Sequence, residues 1–272
     1  MTRRKVIAAI PAMVASAQDI LEKTPPKADA RIPYGTDPLQ FGDLRLPTGK
    51  GPHPVAINIH GGYWRAAYDL EHNGHLCEAL RKKGVATWSI EYRRIGNPGG
   101  AWPGTLDDAK AAANFLGKLR KKHRLNLKRV IAMGHSAGGQ LALYLGAELP
   151  SLTGVISLAG VTDLRRALEL KLSREVVKDF LGGTPEEVPE RYKAASPMER
   201  LPLKMPTVLI HGDKDTIVPL EIAERYFAAA KKAGGKVKLE ILPSTGHFDL
   251  IDPSKPQWAA VERNVLEMLH IS

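Results

Sequence analysis

The sequence predicts one α/β domain, a mainly parallel, twisted sheet with helices on both faces. Two observations carry this expectation. Short apolar runs alternate along the chain with longer segments of helical period, the pattern of successive β-α-β crossovers. Mid-chain, the run Val130-Ile131-Ala132-Met133 leads directly into Gly134-His135-Ser136-Ala137-Gly138, which reads as strand, sharp turn and helix. A length of 272 residues suits one large core, and 43% hydrophobic with 25% charged residues is an ordinary globular balance. The expected division is an extension over 1–30 followed by the α/β domain over 31–272.

Each element has its own signal. Ile32–Tyr34 and Gln40–Leu46 read as short strands divided by the turn-forming Gly35-Thr36-Asp37-Pro38. Val55–His60 reads as a buried strand and Asp69–Lys83 as a helix closed by Gly84. Ala86–Tyr92 is the next strand, and the Ala-rich stretch Leu106–Leu119 behind Pro103 the next helix. Val130–Met133 and the helix Ala137–Leu149 flank the serine turn. Val155–Leu158, Thr207–Ile210 and Val237–Leu242 are further strands; Pro219–Ala233 and Pro256–Leu269 are the closing helices. The rhythm breaks once, over Ala159–Leu203, where a crossover needs only about a dozen residues. Helical pieces at Asp163–Leu170 and Arg174–Phe180 lie in that stretch, so an insertion over about 160–204 is expected to cap the ligand side of the sheet.

Composition excludes several function classes. The net charge is +10, with the densest basic cluster at Lys118–Arg129, expected where a helix ends and a connection begins. No nucleic-acid motif accompanies it, so nucleic acid is not an expected partner. Cys77 is the single cysteine, which removes intrachain disulfides and cysteine-based metal sites and reads as a buried thiol. No apolar run is long enough for a bilayer span, so no integral membrane segment is expected. The first residues read in two ways. Thr2-Arg3-Arg4-Lys5, Val6–Val14 and Ala15-Ser16-Ala17 have the layout of an export signal, twin-arginine included. The same stretch also reads as an amphipathic helix running toward Leu21, which leaves localisation open between export and the cytoplasm.

The chemistry centres on Ser136. A serine hydroxyl attacks only when the backbone exposes it and a base takes its proton; flanking glycines permit the strained, close-packed turn that does the exposing. Of the nine histidines, His247 follows the strand Val237–Leu242 through Pro243-Ser244-Thr245-Gly246 and is the expected base. His211-Gly212-Asp213-Lys214-Asp215 follows another strand and offers two carboxylates. Asp215 is the expected acid, because Asp213 sits nearer the strand end, where it could bind turn amides instead. An oxyanion needs preorganised N–H donors. The amides of Ala137, Gly62 and Tyr63 are expected to supply them, the last two from the turn His60-Gly61-Gly62-Tyr63-Trp64. Tyr63, Trp64 and His135 are expected to touch substrate. Glu71-His72-Asn73-Gly74-His75 has histidines three apart but no supporting ligand cluster, so no metal is expected there. Asp107-Asp108 open a helix, where the dipole accounts for them.

These motifs, in this order, resemble the α/β-hydrolase superfamily over Ile32–Ile271. The branch is the esterase/lipase one, with carboxylesterases, the feruloyl-esterase-like group and kynurenine formamidases of the His-Gly-Gly-x-Trp type. Glu91-Tyr92-Arg93, Leu181-Gly182-Gly183-Thr184-Pro185 and Ala195-Ser196-Pro197 fit that branch. The hormone-sensitive-lipase-like members more often carry a third glycine where this chain has Tyr63. The resemblance implies a Ser136–His247–Asp215 triad that works through an acyl-enzyme on a small-molecule ester, with no cofactor and no metal. A short-acyl carboxylesterase is the leading expectation and an arylformamidase the alternative. A non-catalytic binding module on the same scaffold is remote, since no triad member is missing.

Overall fold

The computed structural model describes residues 19–271. The signal-like segment read at the N-terminus lies outside the described residues up to position 18. After a short helix α1 (Asp19–Glu22), the strands are β1 (Ala30–Pro33), β2 (Phe41–Arg45), β3 (His53–Ile59), β4 (Ala86–Ile90), β5 (Leu125–His135), β6 (Gly154–Leu158), β7 (Thr207–Gly212) and β8 (Val237–Leu242). They form one sheet in the order β1-β2-β4-β3-β5-β6-β7-β8. β1, β2 and β4 pair antiparallel, whereas every pair from β4 to β8 is parallel.

The main helices are α2 (Gly74–Lys82), α3 (Gly104–His123), α4 (Ala137–Glu148), α8 (Leu220–Lys232) and α9 (Trp258–Met268). Side-chain alternation along the strands divides the core in two, because successive residues of a strand face opposite sides. Val55, Ile57, Ile59, Val130, Ala132 and Leu209 join the core under α3, α4 and α8. Ala56, Ile131, Met133, Val208 and Ile210 point the other way, onto α2 and α9. Continuous apolar strands are therefore required here, and VAINI and VIAM supply them.

Several boundaries differ from the sequence reading. The segment read as one helix over Asp69–Lys83 starts as a 3-10 turn at Leu70–Asn73, capped by the Asp69 carboxylate on the Glu71 amide, and becomes α2 at Gly74. β5 begins at Leu125, five residues before the expected Val130, so the basic stretch Lys118–Arg129 is mostly helix end and strand. The joint is Arg124 alone, in left-handed conformation at φ 52°. An irregularity in the β3 pairing between His53 and Val55 absorbs the extra length. Asp108 does more than complement a helix dipole: it is buried and accepts three hydrogen bonds from Arg93 and one from Gln40. Cys77 is fully buried, as read.

The long stretch after β6 carries α5 (Leu164–Glu169), α6 (Val176–Leu181) and α7 (Pro189–Ala195), the last of which the sequence pattern did not single out. Phe180 of α6 packs face to face on Trp64, with ring centroids 4.4 Å apart.

Candidate active site

Residues just past the C-terminal ends of β3, β5, β7 and β8 meet at one edge of the sheet, where parallel strands open toward a ligand. Ser136 sits between β5 and α4 at φ 57° and ψ −121°, a strained conformation for a non-glycine residue. Its amide donates to the Leu158 carbonyl at 2.8 Å and its carbonyl accepts from Gly139 at 2.9 Å, so the turn is pinned from both sides. The flanking glycines are a steric necessity. A Cβ on Gly134 would lie 2.1 Å from the Gly138 carbonyl oxygen, and one on Gly138 would lie 2.1 Å from that of Ile59.

His247 follows β8 and lines one cavity of about 200 Å³ together with Ser136. Its Nδ1 is 2.6 Å from Asp215 Oδ2. A carboxylate oxygen only accepts, so Nδ1 carries the proton in the neutral ring and Nε2 keeps its lone pair. Asp215 is itself fixed: Oδ1 accepts from the amides of Ile217 (2.8 Å) and Val218 (2.9 Å). His211 Nε2 lies 3.4 Å from Oδ2, and 2.8 Å from the Val218 carbonyl. Burial pushes the Asp215 carboxyl pKa up, but the hydrogen bonds from His211 and His247 outweigh it and hold the group below the usual carboxylate range. Asp213 takes the other place read for it, accepting from the Thr245 amide at 3.3 Å beside the Lys214 ammonium.

The turn after β3 lies against the serine, with the position of a Gly61 Cβ only 2.9 Å from Ser136 Cβ. Gly62 has φ 109°, Tyr63 50° and Trp64 55°. Among the described residues the amides of Gly62, Tyr63 and Ala137 donate to no protein acceptor. Beneath the turn lies a buried group that the sequence reading did not assign. His60 Nδ1 is 2.8 Å from the Gly61 carbonyl, and its Nε2 is 3.1 Å from Glu91 Oε1. Tyr92 stacks on the His60 ring at 4.4 Å and donates its hydroxyl to the His60 carbonyl at 2.8 Å. The one sequence hint was a carboxylate, Glu91, ending an apolar strand.

Of the three expected substrate contacts, two line the cavity. Tyr63 does, its hydroxyl donating to the Ile217 carbonyl at 2.7 Å and so joining the glycine turn to the Asp215 loop. His135 does also; its Nε2 is 2.9 Å from the His247 carbonyl, and burial drives its pKa well below the ordinary histidine value. Trp64 does not. It is 0% exposed, its indole N–H donates to Gln140 Oε1 at 3.0 Å, and its ring is packed on Phe180 away from the cavity. The positive φ at Trp64 turns its side chain inward, and a motif cannot show that direction.

Leu21, Tyr68, His72, Ser173 and Phe248 complete the lining together with Ile217. His72 is buried, and desolvation followed by the neighbouring His60 pushes its pKa down to about 3, so it is neutral. His75, its supposed co-ligand, has its Nε2 3.3 Å from the Lys23 carbonyl instead.

A serine lifted on a strand-to-helix turn, a carboxylate-bound histidine and a glycine turn of free amides, all at the C-terminal edge of a mostly parallel sheet, define the class: an α/β-hydrolase of the esterase/lipase branch. Within it the chain belongs to the BD-FAE family, whose profile matches residues 43–229. It is 30% identical over 271 residues to the esterase LipC of Mycobacterium tuberculosis, covering 86% of this chain and 66% of that protein. The chain thus spans a little under two thirds of that relative's length. It is 25% identical over 252 residues to the kynurenine formamidase of Danio rerio, covering 88% and 80% of the two chains. Among solved structures, esterase B from Lactobacillus rhamnosis superposes with TM-score 0.79 at 19% identity, covering 95% of this chain and 92% of that one. A truncated carbohydrate esterase from gut microbiota gives 0.78 at 21% identity, covering 91% and 100%. These likenesses in structure concern the fold.

Proposed function

We propose that this protein is a serine carboxylesterase acting on small-molecule esters with short acyl groups, through an acyl-enzyme on Ser136. The enzyme class, carboxylic ester hydrolase, accords with the family and with the esterase relatives. The observation that carries the mechanism is the 2.6 Å contact of His247 Nδ1 with Asp215, on a histidine sharing its cavity with Ser136. His247 Nε2 takes the hydroxyl proton as Ser136 Oγ attacks the ester carbonyl. The amides of Ala137, Gly62 and Tyr63 receive the developing oxyanion. Asp215 stabilises the imidazolium without taking its proton. Collapse expels the alcohol, protonated by His247, and water then attacks the acyl-enzyme by the same route in reverse. A cavity of about 200 Å³ favours small acyl groups.

A second reading is an arylformamidase, favoured by two observations. One is the likeness to kynurenine formamidases; the other is the aromatic wall of Tyr63, Tyr68 and Phe248. Replacing Ser136 by Ala is expected to abolish turnover of p-nitrophenyl acetate and labelling by a fluorophosphonate. Persistent turnover in S136A would overturn the mechanism. The ratio of kcat/KM for N-formylkynurenine to that for simple acyl esters separates the two substrate readings.

A further inference from the structure

A peptide between two glycines rotates cheaply, because neither side carries a Cβ to oppose the turn. The peptide joining Gly61 to Gly62 is of that kind, and its N–H is one of those proposed to receive the oxyanion. Glycine is required at both ends by packing: a Cβ on Gly61 would lie 2.8 Å from the His135 carbonyl oxygen, and one on Gly62 would lie 2.4 Å from Tyr68 Cβ. The close approach to Ser136 therefore leaves the direction of this N–H to be set by another group.

His60, 0% exposed, is placed to set it. Its Nδ1 lies 2.8 Å from the Gly61 carbonyl oxygen, which only accepts, so Nδ1 donates. In a trans peptide C=O and N–H point opposite ways, so a carbonyl held against the buried ring turns the Gly62 N–H away from it. Gly62 lines the catalytic cavity, and its amide donates to no protein acceptor among the described residues. At the far end of the ring, Nε2 is 3.1 Å from Glu91 Oε1. That oxygen also accepts from the Tyr92 amide at 2.9 Å and lies 3.2 Å from Arg94 Nη2, while Oε2 accepts from the Leu70 amide at 3.2 Å. Burial pushes the Glu91 carboxyl pKa up, but His60, Arg94 and the Tyr92 amide outweigh it and keep the group ionised. None of His60, Glu91, Tyr92 and Arg94 lines the cavity, so any part they take in the reaction passes through the turn.

We propose that His60 is a positioning residue for the reaction: its Nδ1–H, with Glu91 anchoring the ring, locks the Gly61–Gly62 peptide so that the Gly62 N–H faces the oxyanion. The inference rests on the acyl-enzyme chemistry proposed for Ser136. Two variants separate the ends of the ring, since an Asn amide nitrogen reaches where Nδ1 stands and a Gln amide nitrogen where Nε2 stands. Both leave Glu91 paired with Arg94, so no buried carboxylate is stranded. With melting curves showing each variant folded, H60Q is expected to lower kcat for p-nitrophenyl acetate by about tenfold to a hundredfold, short of the loss of a whole donor, with KM little changed. H60N is expected to keep most of the rate. Affinity for a trifluoromethyl ketone, which adds to Ser136 and puts an oxyanion in the same place, should fall in H60Q by the same factor as kcat/KM. A purely structural role would lower the melting temperature and leave both unmoved. If H60Q does not fold, H60M, which also lacks a donor to that carbonyl, takes its place in the comparison with H60N. Unchanged kcat in the donor-less variant, or H60N falling as far as it does, overturns the proposal. Turnover surviving in S136A defeats the underlying chemistry; turnover that needs Ser136 but is untouched in H60Q defeats this inference alone.

Discussion

Asp215→Asn tests the catalytic assignment most sharply, because the structure dictates which way the new amide faces. Asp215 Oδ1 accepts from the Ile217 and Val218 amides at 2.8 and 2.9 Å. An asparagine must keep its carbonyl oxygen there, since turning the NH2 toward two N–H donors would sacrifice both bonds. The NH2 then occupies the Oδ2 position, 2.6 Å from His247 Nδ1. A donor now meets that nitrogen, so the neutral ring carries its proton on Nε2 and offers no base to Ser136. The geometry survives while the tautomer is wrong. The expected loss in kcat is about 10⁴-fold, or about 5 kcal/mol of transition-state stabilisation, with KM little changed.

The assay is p-nitrophenyl acetate hydrolysis, alongside a melting curve to show that the variant is folded. D213N is the matched control. Asp213 reaches the Thr245 amide at 3.3 Å and not His247, so kcat should stay within a few-fold of the unaltered chain. A D215N loss below about tenfold, or a D213N loss as large as that of D215N, refutes the argument.

Three further outcomes follow from the same geometry. Gly62→Ala puts a Cβ at φ 109°, 2.4 Å from Tyr68 Cβ, and so displaces the turn amides. The expected kcat drop is about 10²- to 10³-fold, and unchanged turnover would remove Gly62 from the oxyanion role. Trp64→Phe leaves Gln140 Oε1 without its donor and should lower unfolding free energy by about 1–3 kcal/mol with KM unaltered; a shifted KM would return Trp64 to the substrate. His72, buried and neutral with its pKa pushed down to about 3, binds fewer protons folded than unfolded between about pH 3 and 6.5. Its contribution is therefore full above about pH 6.5 and is lost as pH falls, by about 2 kcal/mol between pH 7 and 5. His135 adds to the slope in the same direction. H72N should flatten the urea-midpoint profile over that window, and an unchanged slope would assign it elsewhere.

What was legible in the sequence is what the backbone itself demands. Gly134 and Gly138 touch neighbouring main chain at distances that exclude a side chain, so the serine turn announces itself locally. The contact of His247 with Asp215 and not Asp213 was also legible, because a histidine lies across the loop and the first carboxylate is nearer its strand. The cavity wall was not. Leu21, Tyr68 with His72, Ser173 and Phe248 come from four separate segments, and apart from Phe248, next to His247, nothing in the sequence marks them as neighbours of Ser136. Trp64 was misplaced because the motif fixes its position in the chain but not the direction of its side chain. The early start of β5 went unseen because Leu125–Arg129 mixes charge with alternation and joins α3 through a single left-handed residue.

Ester and formamide substrates pass through the same tetrahedral oxyanion, so the proposed triad and the turn amides cannot choose between them. That choice falls to the walls, and the two sides of the cavity are built differently. On one side Tyr63 is held twice, by its backbone at φ 50° within the glycine turn and by its hydroxyl on the Ile217 carbonyl. Moving its ring would disturb both the amides proposed to receive the oxyanion and the loop that carries Asp215. On the other side Ser173 belongs to a segment where Lys171, Ser173, Arg174 and Glu175 all have positive φ, each at a cost of about 1 kcal/mol or more. Arg65 Nη2 ties it down through the Ser173 carbonyl at 3.0 Å. A wall whose backbone runs against its own preference moves more cheaply than one shared with the turn amides and the Asp215 loop. Replacing Arg65 or Ser173 is therefore expected to change KM between acyl groups, measured over a series of p-nitrophenyl esters, before it changes kcat.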